Sequence, residues 1–154
     1  MPDQATERRA IDSSPEDVFA VALDIERYPE WARDVKEATV VERDADGRPI
    51  RVQFRAAAMG HSARYVLGYT YGEAPLRMSW ELEQGDIVRR LDGEYLFETA
   101  GTGGTDVTYH LVVELAVPLP GFIKRRAESK IMTTALDELK RRCEVEGAGG
   151  RPQR

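Results

Sequence analysis

A single cysteine, Cys143, excludes an internal disulfide framework and leads us to expect a reducing, cytoplasmic setting. Histidine is almost as scarce. His61 sits beside a glycine turn and His110 on the outward parity of its strand, and neither has a zinc-ligand neighbour, so no metal site is expected. No apolar run approaches the ~18 residues of a membrane span, and Met1 to Arg9 is polar with no apolar core of a secretion signal. A basic excess is missing too: the net charge is −5, which argues against nucleic-acid binding. The Lys/Arg triplets at 124–126 and 140–142 alternate with acids and fit a solvated helix face. No Gly-x-Ser-x-Gly occurs and no Ser or Cys stands in a triad context, so no catalytic residue is assigned. Gly101-Thr102-Gly103-Gly104 is followed by a strand pattern and reads as a hairpin loop, not a phosphate cradle. Asp44-Ala45-Asp46-Gly47 places its glycine too early for a calcium loop. No cofactor is expected.

What is present is an ordinary globular mixture, 42% hydrophobic and 32% charged over 154 residues, enough for one domain with one core. Residues 1–146 are read as that domain, and 147–154, with three Gly, a Pro and no apolar anchor, as a disordered tail. The dominant stretch is Gly121 to Glu146. Ile123, Ala127, Ile131, Ala135, Leu139 and Cys143 recur at every fourth position, with Phe122, Met132 and Leu136 widening the stripe. The opposite face carries oppositely charged i,i+4 pairs: Lys124 with Glu128, Asp137 with Arg141, Glu138 with Arg142. At ~1.5 Å per residue this helix is roughly 40 Å long and needs a broad partner surface.

That surface is written upstream as strands. Thr6 to Asp12 can form the first, and Ser14-Pro15-Glu16-Asp17 then opens a short helix with Ser14 as N-cap. A second short helix or turn carries Tyr28-Pro29-Glu30-Trp31. From Val35 the period becomes two, and six segments alternate between turns at Asp46-Gly47, Gly60, Pro75, Gln84-Gly85-Asp86 and Gly101 to Gly104. The fold class is therefore α+β: a curved antiparallel sheet of about six to seven strands around a long C-terminal helix, with two short helices after the first strand.

The stretch Ile11-Asp12-Ser13-Ser14-Pro15-Glu16-Asp17-Val18-Phe19, with Asp24-Ile25-Glu26-Arg27-Tyr28-Pro29-Glu30-Trp31, resembles the START-like (SRPBCC) superfamily. Leu91-Asp92-Gly93-Glu94-Tyr95-Leu96-Phe97 and Gly103-Gly104-Thr105-Asp106-Val107-Thr108-Tyr109 form a second matching patch. The likeness is to its polyketide cyclase/dehydrase and lipid-transport branch, which includes coenzyme-Q-binding and ribosome-associated-toxin types. The resemblance implies a helix-grip fold with an apolar cavity between sheet and helix. It also implies that Asp24, Tyr28 and Trp31 are mainly structural.

Strand parity turns Phe54, Tyr65, Tyr69, Met78, Trp80, Tyr95 and Tyr109 inward, and Ile131 faces them from the helix. These are the expected ligand-binding residues, together with Arg89. An arginine in an apolar cavity would meet a carboxylate, phosphate or carbonyl. A one-residue bulge would instead send Arg89 to solvent and turn Arg90 in. The expected partner is a hydrophobic small molecule (a lipid, quinone or polyketide) held by a carrier. The rival readings are an aromatase/cyclase acting on a poly-β-ketone and a protein-interaction module with no ligand.

Overall fold

The computed structural model describes residues 4–58, 61–73, 75–101, 103–116 and 121–145. Its elements run β1 (Gln4–Ile11), α1 (Pro15–Leu23), a 3-10 turn (Ile25–Arg27), α2 (Tyr28–Trp31), β2 (Val35–Arg43) and β3 (Pro49–Ala58). Then come β4 (His61–Glu73), β5 (Leu76–Gly85), β6 (Val88–Thr99), β7 (Thr105–Leu115) and α3 (Gly121–Val145). The expected α+β helix-grip architecture is what folds. The turn at Gly60 and the tail 147–154 lie outside the described residues.

Local chemistry accounts for the boundaries. Ser14 caps α1, its Oγ accepting from the Asp17 amide at 3.2 Å, and Pro15 occupies the first turn where its missing N–H costs nothing. Between β2 and β3 the Asp44 carboxylate accepts from the amides of Asp46 and Arg48, both at 2.9 Å, and Gly47 takes φ 84°. The seven strands pair antiparallel in the order β1-β7-β6-β5-β4-β3-β2, a meander closed by β1 returning to β7.

β6 is the irregular strand. Its backbone pairing with β5 ends at Trp80 opposite Gly93, and beyond that point the Asp92 carboxylate accepts the Leu82 N–H at 3.0 Å. On its other side a register shift falls between Val88 and Arg90. Such a bulge inserts one residue and reverses parity beyond it.

α3 packs chiefly on β1, β7 and α1. Met132, Leu136, Leu139 and Cys143 are fully buried there. Its charged face differs from the solvated one expected. Asp137 pairs with Arg9 of β1 at 2.9 Å, Arg142 with Glu30 of α2 at 3.0 Å, and Glu138 with Arg33 at 3.1 Å, so the expected partners within the helix are replaced by partners on other elements. Glu138 and Glu128, both assigned to the exposed face, are buried, while Ile123 of the apolar stripe is 41% exposed. Because the helix leans toward β1 and β7, space remains between it and the middle strands.

That space is held open by a ring of aromatic side chains whose anchor is the cross-strand pair Trp80 and Gly93. A Cβ on Gly93 would lie 2.5 Å from Trp80 Cζ2 and 3.0 Å from the His110 carbonyl, so only glycine lets the indole lie across β6. Gly93→Ala is expected to lose about 1–3 kcal/mol of stability, the range for overpacking a well-filled site. Urea denaturation would show it, and an unchanged midpoint would mean that the indole is free to move aside.

Candidate ligand cavity between sheet and helix

The cavity has a volume of about 270 Å³ and is bounded by the inner faces of β3 to β7, by α2 and by the middle of α3. Eight of the nine residues expected from parity line it together: Phe54, Tyr65, Tyr69, Met78, Trp80, Tyr95, Tyr109 and Ile131. Arg89 does not. The bulge on β6 turns Val88 inward and leaves both Arg89 and Arg90 exposed, with Arg90 held by Asp92 at 2.8 Å. The inward parity expected for Arg89 is thus corrected to Val88, and the wall contains neither Lys nor Arg among the described residues.

The rings fall into two groups. Trp80 is in contact with Tyr69, Tyr95 and Tyr109, at centroid distances of 5.9, 5.2 and 5.8 Å, and Tyr95 and Tyr109 lie 4.6 Å apart. Nearer α2, Tyr28 meets Trp31 at 5.1 Å and Phe54 at 6.4 Å, and Phe54 stacks on Tyr65 at 5.5 Å. α1 closes the far end, where Phe19 sits edge-on to Phe97 and Tyr71.

The residues absent from the sequence reading include apolar ones, such as Val35, Ala56 and Val88, and the polar ones. Asp34, Thr134 and Glu138 line the cavity, as do Tyr28 and Trp31. Asp34 is placed by its carbonyl, which accepts the Ala57 N–H at 2.8 Å. Glu138 accepts from the Arg33 amide at 3.3 Å and from its guanidinium at 3.1 Å. A signal for Glu138 existed: it follows Ile131 and Ala135 at i+7 and i+3, on the same helix face.

The description "polyketide cyclase/dehydrase and lipid transport" belongs to a family whose pattern matches residues 3–144. The chain belongs to that family. The match is to the family as a whole and does not single out a coenzyme-Q-binding branch. Among solved structures, a START superfamily protein from Mycobacterium smegmatis is similar at TM-score 0.84 and 22% identity, covering 92% of this chain and 97% of that one. TTHA0849 from Thermus thermophilus is similar at TM-score 0.79 and 27% identity, over 95% and 100% of the two chains. The ZhuI aromatase/cyclase from Streptomyces sp. R1128 shares the fold at TM-score 0.84 and 12% identity, over 98% and 99%. No curated protein matches the chain in sequence.

In this polyketide cyclase/dehydrase and lipid-transport family member, the six tyrosines are not equivalent. The Tyr28 hydroxyl donates to the Ala22 carbonyl and that of Tyr71 to the Pro49 carbonyl. The hydroxyls of Tyr65, Tyr69, Tyr95 and Tyr109 have no protein hydrogen-bond partner among the described residues. Burial pushes every one of the six upward in pKa: Tyr65 to about 12, helped by the nearby Asp34 charge, and Tyr69, Tyr95 and Tyr109 well above the usual tyrosine value. At neutral pH they are donors, not bases.

An acid that holds its proton longer when folded leaves the unfolded chain with fewer bound protons above its own pKa, near 10 for tyrosine. The stability linked to these phenols is therefore complete below pH ~10 and is lost as pH rises from there through about 12, the shifted Tyr65 value. Absorbance at 295 nm should show almost no phenolate at pH 10 in the folded protein and a jump on unfolding. Half-ionisation at pH 10 would contradict the buried wall.

Proposed function

We propose that this protein is a binding or carrier protein for a compact hydrophobic molecule held between its sheet and α3. The observation that carries the reading is the cavity itself: about 270 Å³, walled by two aromatic groups and aliphatic side chains, between the sheet and α3. Small-molecule pockets span ~300–1,000 Å³, so this one stands at the small end and suits a fused-ring compound better than a lipid with two acyl chains. Burying a ligand of about 250 Å² at ~25 cal/mol per Å² is worth about 6 kcal/mol, which corresponds to a dissociation constant in the tens of micromolar. Placed polar groups would add to that figure.

Catalysis of a cyclisation would require a base facing the ligand, and the phenols with raised pKa values do not supply one. Of the two carboxylates in the wall, Glu138 is engaged by Arg33, which leaves Asp34 as the one group among the described residues to which that role would fall. Retention of a ligand, by contrast, asks only for shape, burial and a few fixed donors. The family's name covers both cyclase/dehydrase chemistry and lipid transport. The aromatic and aliphatic wall supports a binding role, for a ring compound of that size.

The test is native mass spectrometry of freshly purified protein, followed by organic extraction. A bound molecule of a few hundred daltons is expected, and Ala135→Phe, which fills the cavity from α3, should lose it while keeping the same far-ultraviolet circular dichroism. A ligand carried equally well by Ala135→Phe would place binding elsewhere on the molecule.

A further inference from the structure

The cavity has two chemically distinct ends, and together they specify what enters. At one end Tyr69 and Tyr109 are only 6% exposed, and their hydroxyls have no protein hydrogen-bond partner among the described residues. Tyr95 and the Trp80 indole N–H, in the same ring group, are also without one. All four offer a proton at neutral pH, and the indole can only donate. None of these four atoms is among the sealed-in polar atoms that lack a partner, so they open on the cavity, where water can serve them. A purely hydrocarbon ligand would displace that water and leave them unsatisfied, which is costly. What this wall lacks is an acceptor.

The other end is acidic. Asp34 forms no ion pair among the described residues, and Glu138 faces the cavity while Arg33, 72% exposed, holds it from the solvent side. A carboxylate entering here would lose its hydration, meet no cation in the wall and approach the like charge of Asp34, while the charge of Glu138 is offset by Arg33. Phenol donors alone would welcome an anion, since charge-assisted hydrogen bonds are the stronger kind. The missing cation and the acidic end oppose it, and the desolvation of a buried ion is the larger quantity.

We infer that the cavity selects a neutral ring compound bearing a carbonyl-type oxygen, takes that oxygen on one of the phenol donors grouped around Trp80, and excludes the carboxylate of the same shape. The inference rests on the binding reading above. It reverses the selectivity that an inward Arg89 would have given. An apolar cavity of ~150 Å³ accommodates one benzene ring, so about 270 Å³ has room for a second fused ring.

The experiment compares naphthalene, 2-acetylnaphthalene and 2-naphthoate by titration calorimetry at pH 7. Trp31 and Trp80, the only two tryptophans and both in the wall, give a fluorescence signal for entry. The ketone should bind at least tenfold tighter than the carboxylate and several-fold tighter than the hydrocarbon. At least one of Tyr69→Phe, Tyr95→Phe and Tyr109→Phe should reduce ketone affinity about two- to tenfold, the loss of one neutral hydrogen bond, and leave naphthalene unchanged. Asp34→Asn should narrow the gap between ketone and carboxylate. Carboxylate binding as tight as the ketone, or a ketone preference that survives every one of these tyrosine variants, overturns the inference alone. Failure of all three probes to bind overturns the binding reading and this inference with it.

Discussion

Trp80 can lie flat across β6 only because residue 93 has no side chain. From that one contact the inner face of the sheet takes its shape. The indole touches Tyr69, Tyr95 and Tyr109, and Tyr95 touches Tyr109 in turn, so a single group spans β4 to β7 and braces the sheet from within. Rings packed against rings do not need the helix. α3 instead finds its burial on β1, β7 and α1, and its small residue Ala135 and the partly buried Ile131 face the space left over. The cavity follows from a choice of partners: aromatic groups satisfied within the sheet, and a helix satisfied at its side.

Most of this was legible in the alternation. Phe54, Tyr65, Tyr69, Met78, Trp80, Tyr95 and Tyr109 stand on strands whose period of two is unbroken across them, and one parity rule places them all on one face. Arg89 failed for a local reason. A bulge between Val88 and Arg90 is set by pairing with β7, a relation between strands more than twenty residues apart, and no pattern within β6 announces it. Glu138 failed for a different one. Its spacing to Arg142 satisfied a helix-surface rule, but a partner at i+4 is worth only ~0.3–0.5 kcal/mol on a helix, too little to decide orientation against packing. The backbone amide and guanidinium of Arg33 supplied more acceptor satisfaction than Arg142 could. Arg142 went to Glu30.

The same cross-element pairs explain why the end of the cavity beside α2 is polar. α2 is a single turn, with no buried residue of its own among Tyr28 to Trp31. It is held by the Tyr28 hydroxyl on the Ala22 carbonyl, by Glu30 on Arg142 and by the following Arg33 on Glu138. Two of those anchors, Tyr28 and Glu138, are themselves part of the cavity wall. Acidity there is a by-product of fastening a short helix to a long one, and it gives the site a sign.

Unpartnered phenols are a poor way to build a core. A hydroxyl sealed in without a hydrogen bond costs about 1–3 kcal/mol. Those of Tyr69 and Tyr109 escape it by opening on the cavity, and phenylalanine at the same positions would keep the ring contacts with no need of that space. Tyr28 and Tyr71 show that this fold satisfies a phenol readily when a backbone carbonyl is within reach. Tyr69 and Tyr109 are more deeply buried than either, yet their hydroxyls point where no carbonyl waits. A chain under selection for stability alone has no reason to retain that arrangement, and sites that carry local instability are characteristically those that bind something. On the binding reading proposed above, the deep hydroxyls are half of a hydrogen bond whose other half arrives with the ligand.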